Sequence, residues 1–331
     1  MANQTGARAH SLRGYLFIGG AAFLWGVSAA LGRAVFTGKL RLGGAAMRPI
    51  DPLILSQSRV TFSLIVLVVL LVGFEGWQRI RLPARDLAYC FVLGTLGVAL
   101  SNYFYYVAIQ RTNVAIAIIL QYTAPVWVLF YVVARGQQRL SAQKVAGVVS
   151  AIAGIALVID LGKAGSFGSG SRMALRLDSY GVLAALVASF SFAFYNVAGH
   201  GILARFDRWR VLVWTLAAAA AFWMVVNPPW KIGAAHYAGS QWLFLFVFSM
   251  ISVLGAFSLY FLGLQHLEPT RAIIASCLEP VFSILLAATL LGEALRPIQA
   301  VGIALVLAAI VIVQRPGRNT VRECPVVEPM E

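Results

Sequence analysis

Two matching stretches decide the architecture of this chain: AIILQYTAPV at residues 117–126 and AIIASCLEPV at residues 272–281. Both begin with the same apolar triplet and end with the same proline and valine. Each lies inside a long apolar segment, where proline is unusual because it removes a backbone hydrogen-bond donor. The match therefore indicates two copies of one helical unit, each interrupted at the same point.

The similarity continues in one frame on both sides of these stretches. At an offset of 155 positions, residues 105–158 lie over residues 260–313, and Gln110 falls on an identical residue. The first span of each copy aligns at an offset of 167, which places Gly26 over Ala193. Small residues recur every four positions around both, which is typical of closely packed membrane helices. We therefore predict an internal repeat with a longer loop in its first copy.

The composition places both copies in a membrane. Of the 331 residues, 60% are hydrophobic and 11% are charged, whereas a soluble domain carries about 25% charged residues. A spanning helix needs about 20 mostly apolar residues. Windows of this kind fall at 14–37, 53–74, 84–109, 113–133, 145–160, 178–203, 210–227, 241–265, 270–291 and 297–314. The sequence therefore predicts an all-α integral membrane protein with ten transmembrane helices.

The number of spans sets the predicted topology. Five spans per copy is an odd number, so the second copy enters the membrane from the opposite side and the repeats are inverted, as in many secondary transporters. The predicted units are a first repeat at 14–160, a linker at 161–177, a second repeat at 178–314 and a tail at 315–331. More lysines and arginines fall on the side of the termini, which predicts cytoplasmic termini in a multi-pass protein of the cell membrane.

The net charge of +14 would favour a nucleic-acid partner in a soluble protein. Here the basic residues form short groups between apolar windows, such as Arg79, Arg81 and Arg85, which is typical of membrane-protein loops. We therefore predict membrane lipid, and no nucleic acid, as a partner.

Glu279 is the acidic residue placed deepest in a predicted span, and Arg59 and Arg271 are basic residues in or near spans. A charge at the centre of a membrane helix costs about 2.5–3.5 kcal/mol on insertion scales, so it marks either a functional position or a structural ion pair. Two interpretations stay open: Glu279 pairs permanently with an arginine, or it takes up and releases protons during transport.

Polar and aromatic side chains of neighbouring spans predict a substrate cavity, which is formed by Trp25, Asn102, Tyr106, Gln121, Trp127 and Asn196. Pro125 and Pro280 break two of these spans and free backbone carbonyl groups, either for a ligand or only as packing kinks. Aromatic belts at the membrane interface are the alternative explanation of the Tyr and Trp residues. Belts do not explain Asn102 or Gln121, since polar groups in lipid need partners.

Several chemistries are excluded by the sequence. A phosphate-binding loop needs Gly-Lys followed by Ser or Thr, and both Gly-Lys pairs, at residues 38–39 and 162–163, precede other residues. The three cysteines, Cys90, Cys277 and Cys324, lack metal-ligand spacing. An intramembrane enzyme would need a second acid or a nucleophile with its base at membrane depth. We therefore predict no cofactor, no metal and no enzyme activity.

A family resemblance rests on motifs spread over residues 14–314. The motifs are Ala22-Phe23-Leu24-Trp25-Gly26, Arg59, Ile119-Leu120-Gln121-Tyr122-Thr123-Ala124-Pro125, Leu278-Glu279-Pro280 and Leu291-Gly292-Glu293. With them the chain resembles the EamA-type members of the drug/metabolite transporter superfamily, which are ten-span exporters built from two inverted five-helix EamA repeats. One position departs from the pattern, because the first repeat has Gln137-Gln138 where the second has Gly292-Glu293.

The resemblance implies a secondary transporter that exports small amphipathic metabolites, such as amino acids or related compounds, by alternating access. Proton coupling and an uncoupled facilitator or channel-like permease stay open as alternatives, and an intramembrane enzyme is the least favoured. The implied partners are a small-molecule substrate, lipid and, in the coupled case, protons. The resemblance leaves the substrate and the oligomeric state open.

Overall fold

The computed structural model describes residues 2–36, 41–42, 45–46, 50–111, 117, 120–137, 139–159, 179–291 and 297–314. Nearly all of them are helical, as expected where lipid offers no hydrogen-bond partner to the backbone. The predicted long loop of the first repeat contains a two-residue strand pair, β1 (Arg41–Leu42) antiparallel to β2 (Ala45–Ala46). This strand pair is an addition to the predicted all-α fold.

The helices of the first half are α1 (Ala2–Phe36), α2 (Pro52–Glu75), α3 (Ala84–Val92), α4 (Leu100–Arg111), α5 (Ala124–Ala134) and α6 (Ala142–Ile159). A 3₁₀ turn, Trp77–Ile80, follows α2, and a π-helical segment, Leu93–Ala99, joins α3 to α4.

The helices of the second half are α7 (Ser179–Leu203), α8 (Arg208–Val226), α9 (Pro229–Ala234), α10 (Gly239–Ser249), α11 (Ala256–His266), α12 (Pro269–Ser276), α13 (Leu278–Leu291) and α14 (Pro297–Gln314). A second π-helical segment, Met250–Gly255, joins α10 to α11. The described residues of each half thus include a π-helical segment, a feature that occurs frequently at functional sites.

Six helical runs among the described residues are long and apolar enough to cross a membrane: Leu12–Gly32, Leu53–Glu75, Ala84–Tyr105, Ser179–Leu203, Arg208–Val226 and Gly239–His266. Ala124–Ala134, Ala142–Leu157 and Pro297–Val313 are apolar but shorter. The predicted span at 270–291 is divided between α12 and α13. A multi-pass helical membrane protein is therefore confirmed, whereas the number of ten spans stays a prediction.

Both prolines of the matching stretches follow a break in their helix. Residues 122–123 form a turn directly before α5, which contains Pro125 near its start. Cys277 forms the turn between α12 and α13, and Pro280 lies in the first turn of α13. Proline fits the first turn of a helix because its missing amide would have no intrahelical partner there.

Four helix pairs organise the packing of the described residues. α1 lies along α11 and α13, α4 lies along α7, and α6 lies along α14. α2 contacts α10 and α8, and α8 contacts α3 and the first π-helical segment. Small residues permit these approaches: a side chain at Gly26 would collide with Phe282 of α13. Close backbone approach between small residues is a main source of helix association in lipid.

The two ends of this bundle are marked by two contacts. At one end, the Arg205 end, a guanidinium nitrogen of Arg205 lies 2.7 Å from the carboxylate of Asp86, at the starts of α3 and α8. At the opposite end, the Tyr237 end, the backbone amide of Asp51 donates to the Tyr237 hydroxyl at 2.9 Å. The same Asp51 caps α2 by accepting from the amide of Leu53 at 2.7 Å.

Candidate functional site

Glu279 lies where the two broken helices meet. The hydroxyl of Tyr122, in the turn before α5, donates to Oε2 of Glu279 at 2.7 Å. Glu279 follows the turn at Cys277 and therefore lies in the first turn of α13. A hydrogen bond to a carboxylate is among the stronger ones in proteins. The breaks before Pro125 and Pro280 thus bring a phenol and a carboxylate from the two halves of the chain into contact.

Arg59 supplies a positive charge that acts on this carboxylate. Its Nη2 donates to Oδ1 of Asn102 at 2.5 Å, and Nδ2 of Asn102 donates to the carbonyl of Val98 at 2.7 Å. Val98 belongs to the first π-helical segment. The Arg59 charge interacts with Glu279, although no ion pair within 4.0 Å joins them. We call Glu279, Tyr122, Arg59 and Asn102 the carboxylate cluster.

Arg271 is not part of the carboxylate cluster. Its Nε lies 3.9 Å from Oε2 of Glu268, one turn earlier in the chain. Both residues belong to the start of the α12 segment, at the Arg205 end. The structure therefore brings only one of the two predicted arginines, Arg59, into the neighbourhood of Glu279.

A second group of predicted residues surrounds Asn196. The Tyr260 hydroxyl donates to Oδ1 of Asn196, and Asn196 is fully buried. The Trp25 ring centroid lies 5.1 Å from that of Tyr260 and 5.3 Å from that of Phe257. The Trp25 indole donates to the carbonyl of Ser252, in the second π-helical segment, at 3.2 Å. We call Trp25, Asn196, Phe257 and Tyr260 the aromatic cluster.

Cys277 connects the two clusters. It is fully buried, it lies two residues before Glu279, and it is near both Tyr122 and Tyr260. The clusters are therefore neighbours at the break between α12 and α13. Together they form an arrangement of one carboxylate, one guanidinium and several aromatic rings, which is suited to an amphipathic molecule with polar and apolar parts.

The remaining predicted cavity residues, Trp127, Gln121 and Tyr106, lie outside both clusters or have undescribed side chains. Trp127 packs against Phe190 with ring centroids 6.1 Å apart, and its buried indole nitrogen has no hydrogen-bond partner among the described residues. Gln121 is half-buried at the helix end before Tyr122. Tyr106 has its backbone in α4, but its side chain lies outside the described residues. Only part of the predicted set is thus brought together by described contacts.

Two donors of the site lack partners within the described part of the chain. These are Nε of Arg59 and Nε1 of Trp127, and both atoms are buried. A buried donor without a partner is costly, so each is available to a polar group of a bound molecule.

Sequence reasoning missed Tyr260 and Ser252. Tyr260 carries a usable signal, because it is identical to Tyr105 in the repeat frame.

Comparisons with known proteins agree with this architecture. The model of the EamA-like transporter family matches residues 12–160 and 179–315. An uncharacterized inner membrane transporter of Salmonella typhimurium, YicL, is 24% identical over 245 residues, which cover 73% of this chain and 77% of that protein. An uncharacterized transporter of Archaeoglobus fulgidus is 26% identical over 233 residues, covering 66% and 76%.

A solved crystal structure shares the fold. It superposes with a TM-score of 0.70 at 22% identity and covers 93% of this chain and 96% of its own. At this identity the likeness is one of fold alone. A second transporter of Archaeoglobus fulgidus is 25% identical over 241 residues, covering 71% of this chain and 80% of that protein.

Proposed function

The chain belongs to the EamA-like transporter family and is a multi-pass membrane transporter, and we propose that it works as a secondary transporter by alternating access. Its proposed cargo is a small amphipathic metabolite, an amino acid or a related compound, and its proposed direction is export. The observation that carries this proposal is the carboxylate cluster, because it places a charge at a helix break inside a packed membrane bundle. Intramembrane charges in such positions mark substrate or ion pathways.

The helix packing supports two inverted repeats. In the repeat frame, α1 corresponds to α7, α4 to α11 and α5 to the α12–α13 segment. The contact between α1 and α11 then has its counterpart in the contact between α7 and α4. The contact between α6 and α14 is its own counterpart, because these two helices correspond to each other. On this basis we divide the helices into two groups. The first group contains α1, α2 and α10 to α13, and the second contains α3 to α5, α7 and α8. Rocking of such groups around a central site is how inverted-repeat carriers alternate access.

Cytoplasmic termini and an oppositely placed linker belong to the same proposal. Reporter tags at Met1 and Glu331 are expected on one side of the membrane, and a tag within residues 162–171 on the other. A linker tag on the side of both termini would contradict the inverted arrangement.

Proton coupling is proposed for the carboxylate cluster. Burial disfavours the charged form of a carboxylate, whereas a nearby arginine favours it. A shift of Glu279 between water and Arg59 during the transport cycle would therefore bind and release a proton. An uncoupled facilitator is the second candidate, and the position of Arg59 favours it: a guanidinium that stays near Glu279 in every state would keep the carboxylate charged throughout.

Counterflow tests the carrier mechanism. The purified protein is reconstituted into proteoliposomes, and a metabolite panel is first screened for thermal stabilisation of the protein. Binders are then loaded inside the vesicles, and uptake of the same labelled compound is measured. A carrier gives saturable uptake that the preloaded substrate accelerates. Flux that never saturates and is indifferent to preloading would indicate a channel-like permease instead.

A further inference from the structure

The guanidinium of Arg59 is only partly satisfied by its surroundings. Its Nη2 donates to Oδ1 of Asn102 at 2.5 Å, whereas its Nε is buried and has no hydrogen-bond partner among the described residues. A buried charge is normally paired with an opposite charge, and a buried donor with an acceptor. In this structure the guanidinium therefore still lacks one acceptor, at Nε.

The acidic side chains of the described residues do not fill this position. The ion pairs in this part of the chain, at Arg205 and Arg271, do not involve Arg59. Glu279 lies beyond ion-pair distance from Arg59, and its Oε2 accepts from the Tyr122 hydroxyl instead. An arginine at membrane depth without a carboxylate in direct contact is costly unless a substrate or ion provides the counter-charge.

The bonded and the unbonded nitrogen lie on the same edge of the guanidinium. Nε and Nη2 present parallel N–H groups on that edge, and we call them the Arg59 fork. Such a fork matches the two oxygens of a carboxylate, which binds both nitrogens at once. Asn102 offers a single oxygen and satisfies Nη2 alone. The missing acceptor at Nε is therefore the one that a carboxylate would supply.

The bond between Arg59 and Asn102 crosses the boundary between the two helix groups. Arg59 belongs to α2 in the first group, and Asn102 belongs to α4 in the second. Asn102 is anchored in its own group, because its Nδ2 donates to the carbonyl of Val98 at 2.7 Å. Separation of the groups would therefore break the bond and expose the Arg59 fork to the space that opens between them.

Apolar packing is continuous from the Arg59 fork to the aromatic cluster. Val60, the next residue of α2, belongs to the same buried apolar core as Phe257 and Tyr260, and Trp25 packs against this core. Ligand sites typically combine an apolar, aromatic lining with a few polar groups that fix the ligand's orientation. A molecule with its carboxylate on Arg59 can therefore place an apolar body toward these rings.

We propose that the Arg59 fork binds a carboxylate of the cargo, which replaces Asn102 as its partner, so that the cargo is an amphipathic carboxylate rather than an amine or a neutral compound. This inference rests on the proposed alternating access, because the carboxylate enters only when the helix groups separate. One guanidinium balances one negative charge, which favours a carboxylate over a phosphate dianion. In the unloaded protein Asn102 takes the place of the cargo at Nη2.

Matched pairs of acids and amides test this site. Each pair shares an aromatic or a branched aliphatic body, as in 3-phenylpropionate with 3-phenylpropionamide and 4-methylpentanoate with 4-methylpentanamide. Affinities are measured by isothermal titration calorimetry on the purified full chain in detergent. The wild type is expected to bind the acid of at least one pair roughly ten- to hundredfold more tightly than its amide, the range for hydrogen bonds to a charged group.

Two variants remove the preference for the acid in different ways. Arg59→Gln eliminates the fork and is expected to bind acid and amide equally. Asn102→Asp keeps Arg59 but offers it a carboxylate from the chain itself, so acid binding is expected to weaken about tenfold or more while amide binding stays unchanged. Because this variant adds an ion pair, it protects the test if Arg59→Gln folds poorly. Arg85→Gln, at the exposed start of α3, is the matched control and should keep the preference.

The outcomes separate the carboxylate site from the proposed function. Acids that bind no more tightly than their amides across the panel overturn the site, and so does a preference that survives in both Arg59→Gln and Asn102→Asp, even if transport is demonstrated. A preference that depends on Arg59 supports the site without any transport measurement. Failure of counterflow for every acid that binds would overturn the carrier proposal while the binding result stands.

Discussion

The two helix breaks share one sequence frame but have different chemistry. At the first break, before Pro125, the Thr123 hydroxyl donates to the carbonyl of Leu120 at 2.6 Å and lies 2.9 Å from the hydroxyl of Ser189. At the second break the carboxylate of Glu279 accepts from Tyr122. The repeat thus supplies equivalent backbone geometry twice, and only the second copy adds a charge to it.

The counterpart of Glu279 in the repeat frame is Ala124, a buried residue. A symmetric scaffold can therefore carry an asymmetric site: the first break contributes the tyrosine that binds the carboxylate, and the second contributes the carboxylate itself. The comparison leads us to expect large functional effects at Glu279, intermediate effects at Tyr122 and structural effects alone at Thr123.

The largest effect is expected for Glu279→Gln, which keeps the side chain's size but cannot ionise. If Glu279 carries the proton, the variant still exchanges substrate down its gradient and no longer responds to an imposed pH difference. The measurement is uptake into proteoliposomes with and without a pH gradient. Glu75→Gln, at an exposed helix end, is the matched control and should behave as the wild type. A wild-type protein that ignores the pH gradient would exclude coupling through Glu279.

An intermediate effect is expected for Tyr122→Phe, which removes only the hydroxyl that donates to Glu279. A hydrogen bond to a charged group contributes about 1.5–3 kcal/mol, so exchange should fall about tenfold or more if the bond orients the carboxylate for transport. Tyr131→Phe, on the exposed side of α5, removes a hydroxyl from the same helix as a control. Equal exchange by the two variants would show that the Tyr122 bond has no role in transport.

The smallest effect is expected for Thr123→Val at the first break. The Thr123 hydroxyl hydrogen is used by Leu120, so Ser189 donates to the Thr123 oxygen, and valine removes both bonds while keeping the shape. Side-chain hydrogen bonds inside membrane proteins contribute about 0.6 kcal/mol on average. We expect a loss of about 1 kcal/mol in unfolding experiments in detergent and unchanged transport. A severe transport defect in a stably folded variant would place the first break in the functional site as well.

The sequence predicts the helical membrane class because composition alone decides it. A chain with few charged residues and many apolar windows has too few polar side chains to cover the surface of a soluble globule. It also identifies Glu279, Arg59 and Asn102, since a polar residue inside an apolar window is conspicuous in any register. The separate location of Arg271 was not predictable, because its partner Glu268 lies in a predicted loop and the direction of the arginine depends on how α12 begins.

What the sequence by itself predicts is a repeated unit, and what it identifies directly are its prolines and the deeply placed carboxylate of Glu279, because local composition and periodicity are properties of the chain. The tertiary structure alone decided that Tyr122 bonds Glu279, that Asn102 holds Arg59 and that Tyr260 meets Asn196. The first of these pairs is separated by 157 positions and joins helices from different halves. In lipid, apolar side chains cover every face of a helix, so the hydrophobic pattern does not specify which face turns toward which neighbour. Helix rotation and depth, and with them the partners of each polar group, are fixed only when the helices pack.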